Sequence, residues 1–138
     1  MKARVKWVEN ALFVAESSSG HSITIDGAPE VGGRDLGIRP MEAVLLGLGG
    51  CTAIDVVRML KKGRQAINDY VIEIEAKRAD SIPKVFTHIH LVYRIKGSDL
   101  SERQVARVVS LSAEKYCSVT MMLRTAVEIT HEYQIEDL

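Results

Sequence analysis

The chain has 138 residues, 46% hydrophobic and 26% charged, which is the make-up of one folded domain with room for a sizeable core. Its 18 Lys and Arg residues balance 18 Asp and Glu, and a formal net charge of zero removes the electrostatic argument for nucleic acid or an anionic membrane. Near-neutrality also lowers colloidal repulsion, which fits a chain that associates with itself.

Met1-Lys2-Ala3-Arg4-Val5-Lys6-Trp7 has no apolar h-region and no small-residue cleavage site, so no signal peptide is expected. The apolar run Ala43–Cys51 is shorter than the about 20 residues that a bilayer span needs. The expectation is a cytoplasmic protein with no membrane and no nucleic-acid partner. In a reducing compartment, Cys51 and Cys117 read as buried thiols or a catalytic pair rather than as a permanent staple.

In chain order, Ala3–Glu9 alternates, with Val5 and Trp7 on one face and Arg4 and Lys6 on the other. After a turn at Glu9-Asn10, Ala11–Glu16 reads as a second strand, and Ser17-Ser18-Ser19-Gly20 turns the chain into a third, Ser22–Asp26. Together they predict an antiparallel meander. Gly27–Arg39 holds four glycines and one proline, and it exceeds the usual connection of about 4–6 residues.

A long helix is expected from Pro40, a residue suited to the first turn, with Glu42 placed to favour the helix dipole. Its body, Ala43-Val44-Leu45-Leu46-Gly47-Leu48-Gly49-Gly50-Cys51-Thr52-Ala53-Ile54, is apolar on nearly every side, as in a helix buried within a core. Gly63 after Lys61 and Lys62 predicts its C-cap.

Strands follow at Tyr70–Lys77, with Tyr70, Ile72, Ile74 and Ala76 facing inward, and at Val85–Lys96, with Val85, Thr87, Ile89, Leu91, Tyr93 and Ile95 facing inward. Ser101-Glu102-Arg103-Gln104 predicts a capping box, the serine as N-cap and the glutamine reaching back. The second helix falters near Tyr116-Cys117-Ser118. A short helix over Val119–Leu123, capped by Ser118, and a last strand over Ala126–Ile135 complete the chain. The order βββ-α-ββ-αα-β groups like elements together, so the fold class is α+β with a largely antiparallel sheet. One sheet cannot cover a helix that is apolar all round, and a second copy of the chain is the economical cover.

The chemistry centres on sulfur. Cys51 is either a small buried hydrophobe or a nucleophile, with Gly49 and Gly50 leaving space beside it and the arginines of the preceding loop able to supply charge. Cys117 sits at the break between two helices, where N–H groups of the following helix would lower its pKa. If folding brings the sulfurs together, one attacks a peroxide and the other resolves the sulfenic acid to a disulfide. His88 and His90 share a strand face, but no further ligand spacing completes a metal site, so they read as solvated. His21 and His131 carry no motif, and no GxGxxG, P-loop, HExxH or GxSxG is present.

Pro40-Met41-Glu42 followed by Leu45-Leu46-Gly47-Leu48-Gly49-Gly50-Cys51-Thr52-Ala53 resembles the segment around the first cysteine of the OsmC/Ohr family, the osmotically inducible and organic hydroperoxide resistance proteins. Ala113-Glu114-Lys115-Tyr116-Cys117-Ser118-Val119 is similar to the segment around their second cysteine. The likeness spans the whole chain, which reads as a single OsmC-like domain over 1–138, most like the YhfA-type bacterial branch.

The resemblance implies an intertwined homodimer with central helices packed between two sheets and a site built from both chains. It implies a thiol peroxidase in which Cys51 attacks a small organic hydroperoxide, Cys117 resolves, and a lipoyl group or other dithiol re-reduces the pair, with no cofactor. The peroxidase branches place a glutamate ten positions before the first cysteine, paired with an arginine. Here Met41 stands at that position, with Glu42 one step and about 100° further round a helix. Glu42 is the carboxylate carried into the expected site, and among Arg39, Arg34 and Arg4 the arginine nearest the helix, Arg39, ranks first. The alternative is a non-catalytic or redox-sensing dimer that binds a small apolar ligand between subunits.

Overall fold

The computed structural model describes Met1–Leu138. The chain forms two compact units, Met1–Leu46 and Gly47–Leu138, and the boundary falls inside one long helix.

In the first unit, β1 (Ala3–Glu9), β2 (Leu12–Ser17) and β3 (Ser22–Ile25) form the expected antiparallel meander in the order β1-β2-β3. Asn10 at φ 48° and Gly20 at φ 88° make the two reversals. Val5 and Trp7 alternate in phase as expected, yet they are 61% and 59% exposed. The third strand stops one residue short of its expected end because Asp26 has another task. Its carboxylate is buried and accepts the backbone N–H groups of Gly27, Arg34 and Leu36 at 2.8, 3.0 and 3.1 Å. The glycine-rich connection is therefore wrapped around one side chain, and a parallel bridge between Ile25 and Ile38 returns the chain to the start of the helix.

That helix, α1, runs Pro40–Lys62. Glu42 Oε1 accepts the backbone N–H of Arg39 at 2.8 Å, which satisfies one of the amides left free at the helix start. At the other end, Gly63 is not the left-handed cap expected of it. Arg64 takes that conformation at φ 56°. Gly63 instead leaves room for the Gln104 side chain, since a Cβ there would stand 2.6 Å from Gln104 Oε1 and move that flexible amide aside.

Within one chain the helix is buried along a single stripe, which leaves its other sides to the second copy that the sequence reading expects. Leu48, Thr52, Val56 and Leu60, spaced four apart, are buried together with Gly49, whereas Leu46 and Ile54 are 62% and 59% exposed. A sheet packs on one side of a helix only, so one chain leaves the opposite side of α1 open. With 23 residues, α1 is also long and apolar enough to cross a membrane by length and composition, which the shorter run Ala43–Cys51 did not convey. Its buried stripe instead packs within the protein: Gly49 lies so near Ile74 that a Cβ would fall 2.8 Å from the isoleucine Cδ1.

In the second unit, β4 (Ala66–Arg78), β5 (Phe86–Ser98) and β6 (Glu128–Asp137) form a separate sheet in the order β4-β5-β6. The β4–β5 pair is antiparallel, whereas β6 runs parallel to β5 because the chain crosses over between them. The crossover comprises α2 (Glu102–Leu111), a π-helical turn at Ser112–Tyr116 and α3 (Ser118–Leu123). The architecture is α+β in the expected order, with two sheets where one was read.

Three sequence assignments in this unit are corrected. In β5, Phe86 is buried and Val85 is 52% exposed, the reverse of the expected alternation. Lys77 pairs with His88 and Arg78 with Phe86, so Thr87 is the extra residue of a β-bulge, and everything before it turns to the other face. Ala76 is exposed rather than inward. At the start of α2, Ser101 caps as expected, accepting the Gln104 N–H at 3.3 Å. Gln104 does not reach back, however. The Ser101 N–H is taken by Gln65 Oε1 at 2.8 Å, and Gln104 Oε1 accepts from Gln65 Nε2 at 3.2 Å.

Candidate functional site

The π-helical turn before Cys117 is the local device that presents the second cysteine. The Cys117 N–H bonds to the carbonyl of Ser112 at 3.0 Å, one residue further back than an α-helix allows. Cys117 then leaves helical geometry, at φ −68° and ψ 109°, and caps α3 itself in place of Ser118. Its Sγ accepts the Thr120 N–H at 3.4 Å.

This folding places Cys117 against α1. One side-chain ligand atom from each of Cys51, Asp55 and Cys117 lies within 4.8 Å of the other two. Both thiols are free; Cys117 is fully buried and Cys51 is half-buried. Burial pushes the Cys117 thiol above the ordinary cysteine range, against the pull of Thr120, and the neighbouring Cys51 adds to the rise. The expected lowering by the N–H groups of α3 is thus outweighed: the amide is in place, but desolvation dominates.

Behind the sulfurs runs a chain of hydroxyls. Tyr93 Oη lies 2.6 Å from Thr52 Oγ1, Thr52 Oγ1 lies 2.7 Å from Ser112 Oγ, and Ser112 Oγ donates to Asp55 Oδ2 at 3.2 Å. Tyr93, Thr52 and Ser112 are each 0% exposed. Each hydroxyl has one proton, so the donation to the carboxylate fixes the whole series: Tyr93 donates to Thr52, Thr52 to Ser112, and Ser112 to Asp55. Burial first, then the electrostatic effects of Tyr93 and Asp55, holds the Tyr70 phenol well above the usual range, and its hydroxyl is buried with no hydrogen-bond partner. Asp55 also lines a cleft of about 700 Å³ with Arg58, Met59, Lys61, Lys62 and Tyr116.

The remaining expected residues have partners of their own. Glu42 caps α1, and the Arg39 guanidinium lies 3.4 Å from Asp35 and donates to the Gly37 carbonyl at 3.2 Å. Arg34 pairs with Glu9 at 2.5 Å and Arg4 with Glu16 at 3.9 Å. His88 and His90 are not simply solvated: they face Glu128 and Glu132 at 2.9 and 3.4 Å across the parallel β5–β6 pair. His131 stacks edge-on to the Tyr93 ring with centroids 6.3 Å apart.

Sequence reasoning passed over Asp55, Thr52, Ser112 and Tyr93 as members of the site. One signal was available: Asp55 follows Cys51 by four residues, which puts both on one helix face. Nothing in the sequence ties Ser112 or Tyr93 to Thr52, since those contacts span 60 and 41 residues.

Residues 32–132 match the model of the OsmC-like protein family. The chain is 50% identical to protein YhfA of Escherichia coli K12 over 135 residues, which cover 98% of each chain. It is 31% identical to a hypothetical protein from Aquifex aeolicus VF5, covering 98% of this chain and 96% of that one, with a TM-score of 0.82. It shares the fold, at 19% identity and a TM-score of 0.64, with the organic hydroperoxide resistance protein OhrB of Bacillus subtilis, covering 96% of each chain.

Proposed function

Since the chain belongs to the OsmC-like family, we propose that it is a cysteine-based thiol peroxidase reducing small organic hydroperoxides, with 1–138 acting as one OsmC-like domain. The observation that carries this reading is the pair of sulfurs within 4.8 Å, one half-exposed and one buried. A half-exposed thiolate meets substrate, and a buried neighbour is shielded from it and reacts second.

In the first step, the Cys51 thiolate attacks the outer oxygen of the hydroperoxide. The O–O bond breaks, the alkoxide leaves and takes a proton, and Cys51 becomes a sulfenic acid. Cys117 then gives up its proton and attacks the Cys51 sulfur, and water leaves. Forming a bond of about 2.05 Å from sulfurs within 4.8 Å of each other asks for side-chain rotation rather than refolding. A lipoyl group or another dithiol returns the disulfide to two thiols by exchange. Arg39, whose backbone N–H Glu42 holds, is the proposed cation for the thiolate, and serving it requires the guanidinium to exchange its contacts with Asp35 and the Gly37 carbonyl for the sulfur.

The reading includes a cytoplasmic homodimer. The exposure of Leu46 and Ile54 on α1, and of Val5 and Trp7 on β1, supports a second copy as their cover.

The test is to treat reduced protein with an organic hydroperoxide and a dithiol reductant. Wild type should consume the peroxide and pass through an intramolecular disulfide visible by mass spectrometry. Cys51→Ser should do neither, and Cys117→Ser should stall at the sulfenic acid. Equal consumption by wild type and Cys51→Ser ends the catalytic reading. A second reading, a non-catalytic or redox-sensing dimer that holds a small apolar ligand between subunits, draws on Met41 at the position of the glutamate in the peroxidase branches. It predicts thiols that stay reduced under the same treatment, or that oxidise once without turnover.

A further inference from the structure

We propose that Cys51, Asp55 and Cys117 form a binding site for a thiophilic divalent cation of the zinc class, and that the bound ion holds both sulfurs reduced. The proposal stands on geometry within Gly47–Leu138 and does not depend on peroxidase activity.

Tetrahedral zinc takes thiolate at about 2.3 Å and carboxylate at about 2.0–2.2 Å, which sets its ligand atoms roughly 3.5–3.8 Å apart. The two sulfurs and a carboxylate oxygen already lie within 4.8 Å of one another. Closing the remaining gap of about 1 Å is within reach of side-chain rotation. Two sulfurs and one oxygen suit a borderline-soft ion and disfavour magnesium or calcium, which take oxygen ligands.

The surroundings support a ligand set and not a chance cluster. Asp55 is held by the Ser112 hydroxyl at 3.2 Å, and Ser112 is in turn the end of the buried Tyr93–Thr52 series. Metal-binding carboxylates are oriented by outer hydrogen bonds of this kind. Cys51 and Asp55 come from successive turns of one rigid helix, and Cys117 is pinned by its own cap on α3. Three protein ligands leave the fourth position to water on the half-exposed Cys51 side. Three unit negative charges against a divalent ion leave one, and Arg58, Lys61 and Lys62 line the same cleft as Asp55 to offset it. Binding releases one proton from each thiol to solvent and changes no oxidation state.

The test uses the reduced full-length protein with Co²⁺ alone as the spectroscopic probe and Zn²⁺ alone as the competitor. Wild type should take up one Co²⁺ per chain with a near-ultraviolet thiolate-to-cobalt charge-transfer band, release two protons, and lose the band to Zn²⁺. Cys51→Ser and Cys117→Ser should each lose about half of the band or all binding. Asp55→Asn should bind at least about tenfold more weakly while keeping the band.

Zn²⁺ should also slow alkylation of Cys51 in wild type and much less in Asp55→Asn. Circular dichroism identifies any variant that fails to fold, and Asp55→Asn, which keeps the side-chain shape, then decides. The paired histidines of β5 supply the rival location. Loss of Co²⁺ uptake in His88→Ala/His90→Ala with full affinity in Asp55→Asn overturns the proposal, as does wild-type protein without a charge-transfer band. A disulfide-forming peroxidase that binds no zinc would sink this site alone, and a zinc-binding protein inert to peroxide would sink only the catalytic reading.

Discussion

Ser112 donates its hydroxyl proton to Asp55 at 3.2 Å, and that donation orders the bonds behind it back to Tyr93. The middle and the end of such a series are unequal. Removing the Thr52 hydroxyl leaves the buried Tyr93 without an acceptor and the buried Ser112 without its donor. Removing the Tyr93 hydroxyl takes away only the outermost donor.

Thr52→Val is therefore expected to destabilise the protein by about 3 kcal/mol and Tyr93→Phe by about 1 kcal/mol, given about 1–3 kcal/mol for each buried polar group left unpaired. Equilibrium denaturation measures both. Equal losses, or a larger one for Tyr93→Phe, would contradict the placing of Thr52 as the shared middle of the series.

Tyr70 gives the opposite case. Its hydroxyl is buried with no partner, so its desolvation cost is uncompensated. Tyr70→Phe should leave stability unchanged or raise it by up to about 1 kcal/mol. A loss of more than about 1 kcal/mol in the same denaturation assay would mean that the hydroxyl has a partner in solution.

Cys117 links stability to alkaline pH. Burial raises its thiol pKa in the folded state, so the folded chain keeps a proton that the unfolded chain loses first. Its contribution is fully present below the unfolded thiol value of about 8.5 and falls away as pH rises from there through the raised folded value. The raised phenols of Tyr70 and Tyr93 act in the same direction at higher pH. Comparing wild type with Cys117→Ala at about pH 7 and about pH 10 should show the wild type losing more. Parallel losses would place the thiol in an ordinary environment.

Asp26 works at the acid end. The backbone N–H of Arg34 lowers its pKa most; burial opposes this, and the Leu36 and Gly27 amides and the Arg34 charge add to the lowering. A depressed folded pKa gives stability that is present above the unfolded value of about 3.9 and is lost as pH falls through the folded one. Asp26→Asn turns an amide donor toward N–H groups that need an acceptor. It should lower the melting temperature at about pH 7 and less so at about pH 3, and speed hydrogen exchange at Arg34 and Leu36. Unchanged exchange at those two amides would show that the connection is held by something else.

The strand alternation, the Ser101 cap and the helix beginning at Pro40 were legible in the sequence because each depends on residues within a few positions of one another. The phase of β5 before Ile89 was not legible, because the bulge at Thr87 is defined by pairing with Lys77 and Arg78 on another strand. Which face of α1 the chain itself covers was not legible either. Apolar composition states what a helix can bury, and only the elements packed on it decide that Leu48, Thr52, Val56 and Leu60 are the buried stripe.

The site divides along the same line. The two cysteines and their family setting are readable in the chain, and so is the four-residue spacing that sets Cys51 and Asp55 on one helix face, since a helical repeat is a local property. It takes the folded chain to bring Cys117 to them, to stand Ser112 and Tyr93 behind Asp55, and to raise rather than lower the Cys117 pKa. Those outcomes come from contacts across tens of residues and from desolvation, and both exist only once the chain has closed on itself.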